Sequence, residues 1–233
     1  MWFQLSALQE HLRLSCKKEL LITAAPGTLK MRFLFAKAVV VAKAFFLFNE
    51  CKVFAETRID NDENYEKYQD IYEAFNISKI FWFYAFNFPR RYSAGRTCTY
   101  ISIGNLCQDG MNYSTIYLFN NTWQKVDYVA KFFKTDLQSY PHKKREKYNS
   151  LETSATSEKW HPRIYQLLFS DYANCSIFRM PEVNYGQGCM VFLTPTAVKS
   201  GMPRNCQRMF QNACSDSGIL RELHDKNCIL SRK

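Results

Sequence analysis

The chain has 233 residues, of which 47% are hydrophobic and 16% aromatic, with 14 Tyr and 19 Phe against only 8 Gly and 7 Pro. This composition supplies a sizeable core and excludes intrinsic disorder, collagen-like repeats and low-complexity classes. A formal charge of +10 points toward an anionic partner such as nucleic acid or a membrane surface, whereas nine cysteines point to an oxidising compartment or a metal site.

In chain order, residues 33–48 (FLFAKAVVVAKAFFLF) form the most apolar run. Met31 and Arg32 stand before it, and Val53-Phe54-Ala55 closes it with small or aliphatic residues at the minus-three and minus-one positions. Residues 31–55 therefore read as a secretory signal peptide, cleaved after Ala55 to leave Glu56 as the first mature residue. Lys37 and Lys43 interrupt the run, which falls short of the roughly 20 apolar residues of a comfortable span; a membrane anchor and a buried helix are the competing readings. Residues 1–30 carry no secretory pattern and read as a non-native extension ahead of a start at Met31. Residues 1–55 hold eight basic and three acidic residues, so the remaining 178 keep 23 basic and 18 acidic groups, a net +5. That remainder, 56–233, is one domain's worth of chain.

Apolar side chains at Tyr65, Tyr68, Ile71, Tyr72 and Phe75 predict a helix over 65–75. A strand is predicted over 79–88, with Ile80, Trp82, Tyr84, Phe86 and Phe88 on one face and Phe81, Phe83 and Ala85 on the other; alternation does not say which face points inward. Further strands are predicted at 97–103, 114–119, 123–134, 150–156, 163–170, 173–180 and 188–193, then a helix beginning near Pro203. The expected fold class is all-β: an eight-stranded antiparallel up-and-down barrel with a short N-terminal helix and a C-terminal helix. A β-sandwich would give the same strand count.

Seven cysteines fall in the mature chain, at 98, 107, 175, 189, 206, 214 and 228. None forms a C-x-x-C pair or has a nearby His pair, so no zinc site is expected. Buried small hydrophobes in a cytosolic fold are the bland alternative; behind a signal segment, disulfides are expected. Asn-X-Ser/Thr sequons at Asn76, Asn112, Asn120 and Asn174 are candidate glycosylation sites.

The run DYANCSIFRM, followed by GCMVFL, MPRNCQRMF, NAC and a last Cys228, resembles the second half of the tick salivary lipocalins, the family that includes the histamine-binding proteins. KYQDIYEAF resembles that family's N-terminal helix, with Asp70 and Tyr72 near its Asp-Ala-Trp, and TCTYIS resembles its Cys-X-Tyr strand. The resemblance covers roughly residues 65–230, and the C-terminal cysteine pattern is its most specific part. It implies a lipocalin barrel with Cys98 paired to Cys228, Cys175 to Cys206 and Cys189 to Cys214. Cys107 is left as a free thiol or an intermolecular link.

Amine-binding members of the family carry an acid directly after the seventh-strand cysteine and Glu-Leu-Trp on the eighth strand. Here Ser176 follows Cys175, and Met190-Val191-Phe192 follow Cys189. Glu182 sits in a turn-like PEVNYGQG, where it is expected to face solvent. The expected ligand thus shifts from a biogenic amine, whose ammonium needs a buried counter-charge, to a fatty acid, eicosanoid or other apolar mediator held by hydroxyls or an Arg. Trp82, Tyr84, Phe86, Tyr100, Tyr117, Phe133, Tyr165, Phe178 and Phe192 are the candidates to line the barrel; the bland reading is that they only pack the core.

Lys143-Lys144-Arg145 with Lys147 reads as a solvated loop, and no nucleic-acid partner is expected. His142, His161 and His224 have no partners at catalytic spacing, and no Gly-rich phosphate loop occurs, so no enzyme, metal or cofactor is expected. The resemblance implies a secreted salivary protein that sequesters a small host mediator to suppress inflammation and haemostasis, with no membrane association after signal cleavage. Its alternative is a lipocalin scaffold that binds a host plasma protein, such as a complement component, through its outer surface.

Overall fold

The structure, a computed structural model, describes residues 58–88, 95–137, 142–214, 221–222 and 228. The N-terminal extension, the signal segment and the start at Met31 lie outside these residues.

Eight strands follow one another: β1 (Ile80–Phe86), β2 (Thr97–Cys107), β3 (Gly110–Phe119), β4 (Thr122–Phe133), β5 (Ser150–Ala155), β6 (Arg163–Ser170), β7 (Cys175–Met180) and β8 (Gly188–Leu193). Each pairs antiparallel with the next from β2 to β8, and β1 bonds to both β8 and β2. The sheet therefore closes into an up-and-down lipocalin barrel, and the sandwich alternative falls. A two-residue strand, β9 (Arg221–Glu222), pairs with Ala85 and Phe86 of β1.

The β2–β3 hairpin outruns its predicted strands because its outer half is polar. Gly104 and Asn105 are exposed, so the apolar alternation stops before the ladder does. Gly110 starts β3 where a Cβ would lie 2.4 Å from the Ala130 carbonyl oxygen, a place only glycine fills. At the β3–β4 tip, Asn120 and Asn121 have φ of 48° and 58°, the left-handed pair that matches the twist of a two-residue hairpin.

The predicted helix over 65–75 divides in two. Residues Glu63–Tyr68 form a 3₁₀ helix, and α1 (Ile71–Asn76) starts afresh at Asp70, whose carboxylate accepts from the N–H groups of Tyr72 and Glu73. Between them the Gln69 amide donates to the Ile59 and Leu168 carbonyls, which holds the break open. After β8 come α2 (Pro195–Ser200), capped by Thr194, and α3 (Arg204–Cys214), the helix expected near Pro203.

Two apolar clusters lie on opposite sides of the barrel wall. The inner one holds Phe75 of α1 with Phe81, Phe86, Ile101, Phe132 and Phe178. The outer one packs Trp82, Tyr84, Tyr100, Ile177 and Val191 beneath Val198 of α2 and Phe210 of α3. A bulge in β1 decides the sorting: Phe83 pairs with Phe192 but Ala85 pairs with Val191, so an extra residue is accommodated there. Up to the bulge Phe81 and Phe83 point in and Trp82 and Tyr84 out; beyond it Ala85 is out and Phe86 in.

The N-terminal segment is held to the barrel exterior by buried polar groups. Asp60, 1% exposed, contacts Arg58 at 3.0 Å and Arg179 of β7 at 3.4 Å. Arg145, 3% exposed, donates to the Asp60 and Thr135 carbonyls and to Gln69. The reading of 143–147 as a solvated loop fails at Arg145, which is buried; Lys143, Lys144 and Lys147 are exposed, with Lys143 paired to Glu63 and Glu66 and Lys147 to Asp70. Acids brought from the N-terminal segment pair with Lys143 and Lys147, and its backbone and Gln69 take up Arg145, long-range partners invisible in the local sequence.

Disulfides join Cys98 to Cys228, Cys175 to Cys206 and Cys189 to Cys214, the pairings implied by the resemblance. Among the described residues Cys107 is free and exposed. The bond from Cys98 spans 130 residues, and the chain-entropy model values such a loop at about 5 kcal/mol. The Cys98→Ala/Cys228→Ala variant is expected to lose about 3–5 kcal/mol in chemical denaturation, whereas Cys107→Ala changes stability by less than about 0.5 kcal/mol. Mapping of non-reduced peptides should recover the three pairs and an alkylatable Cys107.

Candidate functional site

Strand geometry turns alternate side chains of each barrel strand inward. Above α1 they enclose a cavity of about 760 Å³, large enough for a small molecule. Its floor is Phe75, set edge-on to Phe81 and stacked with Phe178 at 5.5 Å. Phe83 and Phe192, with ring centroids 5.6 Å apart, continue the apolar wall along with Ile101, Met111 and Met190.

The facing wall is polar without being charged. Tyr113 of β3 and Tyr128 of β4 stack at 5.1 Å, with Tyr165 of β6 and Thr153 of β5 in the same wall. Burial pushes the Tyr113 phenol far above its ordinary range, with the neighbouring Tyr165 adding to the effect and the Thr153 hydrogen bond opposing it. Burial also raises Tyr128 and Tyr165, so these phenols stay neutral at physiological pH. Charge is confined to the upper part: Arg96 is half-buried, while Glu158, His161, Arg163 and Glu182 are exposed. Glu182 thus faces solvent from its turn and shares the rim with Tyr185.

Of the nine candidate lining residues, Tyr165, Phe178 and Phe192 stand in the cavity wall. Phe86 is in the inner cluster, packed on Phe83 and Phe88. Tyr117 is buried with the Arg96 guanidinium 4.2 Å from its ring centre. Phe133 is half-buried, and it is its neighbour Phe132, on the other face of β4, that joins the inner cluster. Trp82, Tyr84 and Tyr100 belong to the outer cluster, where Trp82 and Tyr100 lie 5.0 Å apart. The wall also contains Phe83, Tyr113, Tyr128 and Arg163, which sequence reasoning did not single out. Tyr113 precedes the predicted third strand, and Tyr128 sits among the outward charges of Lys125, Asp127 and Lys131.

The sequence model described as tick histamine binding protein matches residues 59–229, most of the chain. The chain belongs to this family. Japanin from Rhipicephalus appendiculatus, solved bound to cholesterol, is 16% identical, with a TM-score of 0.48 over 67% of this chain and 98% of Japanin. Insecticyanin from the tobacco hornworm Manduca sexta is 8% identical, with a TM-score of 0.46 over 64% of this chain and 79% of its own. Lobster apocrustacyanin A1 is 14% identical, with a TM-score of 0.41 over 64% and 77%. No curated protein sequence matches.

Family and fold are those of ligand-binding lipocalins. Among the described residues no group of three or more His, Cys, Asp and Glu is arranged to hold a metal, and no helix is long and apolar enough to cross a membrane. At the closed end the Tyr172 hydroxyl donates to the Lys67 carbonyl and accepts from the Asp70 N–H, tying the β6–β7 turn to the start of α1. Burial pushes this phenol up to about 12. A phenol raised in the folded state stabilises fully below its unfolded value near 10 and loses that contribution as pH rises toward the folded value. Denaturation of Cys107→Ala, chosen to remove the thiol that would exchange disulfides, should therefore show stability falling between about pH 10 and 12. Adding Tyr172→Phe should make the fall shallower without abolishing it, because Tyr113, Tyr128 and Tyr165 are raised by burial as well.

Proposed function

We propose that the chain is secreted and holds a small, largely apolar host mediator in its barrel, lowering the free mediator by stoichiometric binding without chemistry. The observation that carries this reading is the placement of carboxylates. The two in the cavity lining, Glu158 and Glu182, are both exposed at the rim, while the enclosed wall consists of aromatic, aliphatic and hydroxyl groups. An ammonium ion taken below the rim would lose its hydration without meeting a counter-charge. Ser176 stands where the resemblance puts an acid, and its hydroxyl is spent on Ser170, which in turn donates to the Cys175 carbonyl.

Displacement of a fluorescent fatty-acyl probe from the full chain tests the reading. Eicosanoids should displace it stoichiometrically, and histamine and serotonin should fail at about hundredfold higher concentration. Saturable binding of either amine at one per chain, with no displacement by lipids, would overturn it.

Secretion carries its own expectations. The mature N-terminus should be Glu56. Asn76, Asn112 and Asn120 are exposed and are the sequons expected to carry glycan. Asn174 is half-buried, and the Ser176 of its sequon is buried. Enzymatic deglycosylation of protein from insect-cell medium should lower its mass, and the triple Asn→Gln variant at 76, 112 and 120 should not shift further.

A further inference from the structure

The cavity stops where the solid part of the interior begins, and one ring marks the boundary. Phe75 is buried and stands in the cavity lining together with Phe178, on which it stacks at 5.5 Å. Its other ring contacts, Phe81 edge-on at 5.7 Å and Phe132 stacked at 6.4 Å, belong to the inner cluster but not to the lining. The same holds for Ile71 and Ala74 of α1, both fully buried. Phe75 therefore has open space on one side and packed side chains on the other. Among the described residues it is the one lining group supplied by α1; the rest come from the strands and from the segments that join them at the open end.

This floor is anchored. The Ile71 N–H donates to the Tyr148 carbonyl at 2.9 Å, and the Asp70 N–H donates to the Tyr172 hydroxyl at 2.8 Å. The start of α1 is thus fixed to two connections at the closed end, the one after β4 and the one after β6. A close-packed interior transmits strain and resists displacement, so the helix acts as a stop and not as a cushion. The ionisable members of the lining other than tyrosine, Arg96, Glu158, His161, Arg163 and Glu182, stand in the upper part of the cavity.

We infer that Phe75 is a length gauge: an unbranched aliphatic chain enters methyl end first, and the Phe75 ring sets how many of its carbons can be buried. The inference rests on the apolar-ligand reading and adds the orientation of the ligand and the residue that limits its length. A fatty acid entering head first would bring its carboxylate among the rings of the floor, out of water and without a counter-charge. Entering tail first, it gains about fourfold in affinity for each methylene that leaves water. Once the methyl group meets Phe75, further carbons only lengthen the part outside the mouth, and the gain stops.

The test uses the full chain, the fluorescent fatty-acyl probe and even-numbered saturated fatty acids from octanoate to eicosanoate as competitors. In the parent chain the logarithm of affinity should rise by about fourfold per methylene and then break to a plateau. Phe75→Leu should move the break to longer chains by about two carbons and Phe75→Ala by about four, as the vacated space extends the cavity downward. If Phe75→Ala does not fold, Phe75→Leu, which keeps most of the packing, carries the test. Leu168→Ala empties a fully buried position of the outer cluster; it should lower stability without moving the break, which separates a gauge from general loosening. Hexadecanedioate, with a second carboxylate at the leading end, should compete about hundredfold worse than hexadecanoate. A parent series without a break, a break that stays in place in Phe75→Leu or moves equally in Leu168→Ala, or equal competition by the diacid would overturn the gauge while leaving the apolar-ligand reading intact. Failure of every fatty acid to displace the probe would sink both.

Discussion

The barrel closes through β1, and the placement of every ligand-facing group follows from how that strand is seated. β1 pairs with β8 on one side and β2 on the other, so its register sets the relative height of the first and last strands of the meander. Both its faces are apolar, as expected for a strand buried on two sides. Such a strand has no strong preference for which face turns inward, because either choice buries aromatic rings. The bulge between Phe83 and Ala85 settles the matter locally, putting Phe83 and Phe86 inside despite their odd spacing. Tyr84 and Ala85 can then both lie under the C-terminal helices.

A second constraint acts on the exterior of β6 and β7. Arg179 is 2% exposed and is reached by Asp60, by the Gly186 carbonyl and by the Ala213 carbonyl. It therefore ties the N-terminal segment, the β7–β8 turn and the end of α3 to one strand. Burial disfavours the charged guanidinium, while Asp60 works the other way. Buried ions of this kind add little net stability over apolar packing, but removing one partner strands the other. The arrangement thus specifies where the N-terminal segment lies more than how stable the barrel is. It also sets one side of the rim, since Arg58 donates to the same Gly186 carbonyl in the turn that carries Glu182 and Tyr185.

The strands were legible in the sequence because half-buried β structure leaves a period of two, and their limits agree closely with the ladders except where polar hairpin ends hid them. The wall of the cavity was much less legible. One bulged residue reverses inside and outside, and no local pattern marks it in IFWFYAF; adjacent phenylalanines at 132 and 133 pose the same ambiguity on β4. The short α2 was readable in principle, since Thr194-Pro195 is a cap followed by proline at the first helical position. The fates of Arg145 and Lys143 were not, because their partners lie about eighty residues away. The cysteine pairing came from the spacing shared with the family, which periodicity alone could not supply.

The two apolar clusters divide the work between them. The outer cluster contains all six bridged cysteines, the disulfides bind α3 and the C-terminal segment over it, and Trp82, Tyr100 and Trp123 pack in sequence along it. Burial and cross-linking that would otherwise have to come from a filled interior are thus supplied outside the barrel. The inner cluster can then be solid only near its floor, where Phe75 meets Phe81, Phe132 and Phe178, and open out above into the cavity. An eight-stranded barrel has an interior wide enough either to be filled by side chains or to hold one small ligand, and packing outside the wall favours the second. The extra layer of helices and disulfides leaves the upper wall free to present the Tyr113, Tyr128 and Tyr165 phenols to the cavity.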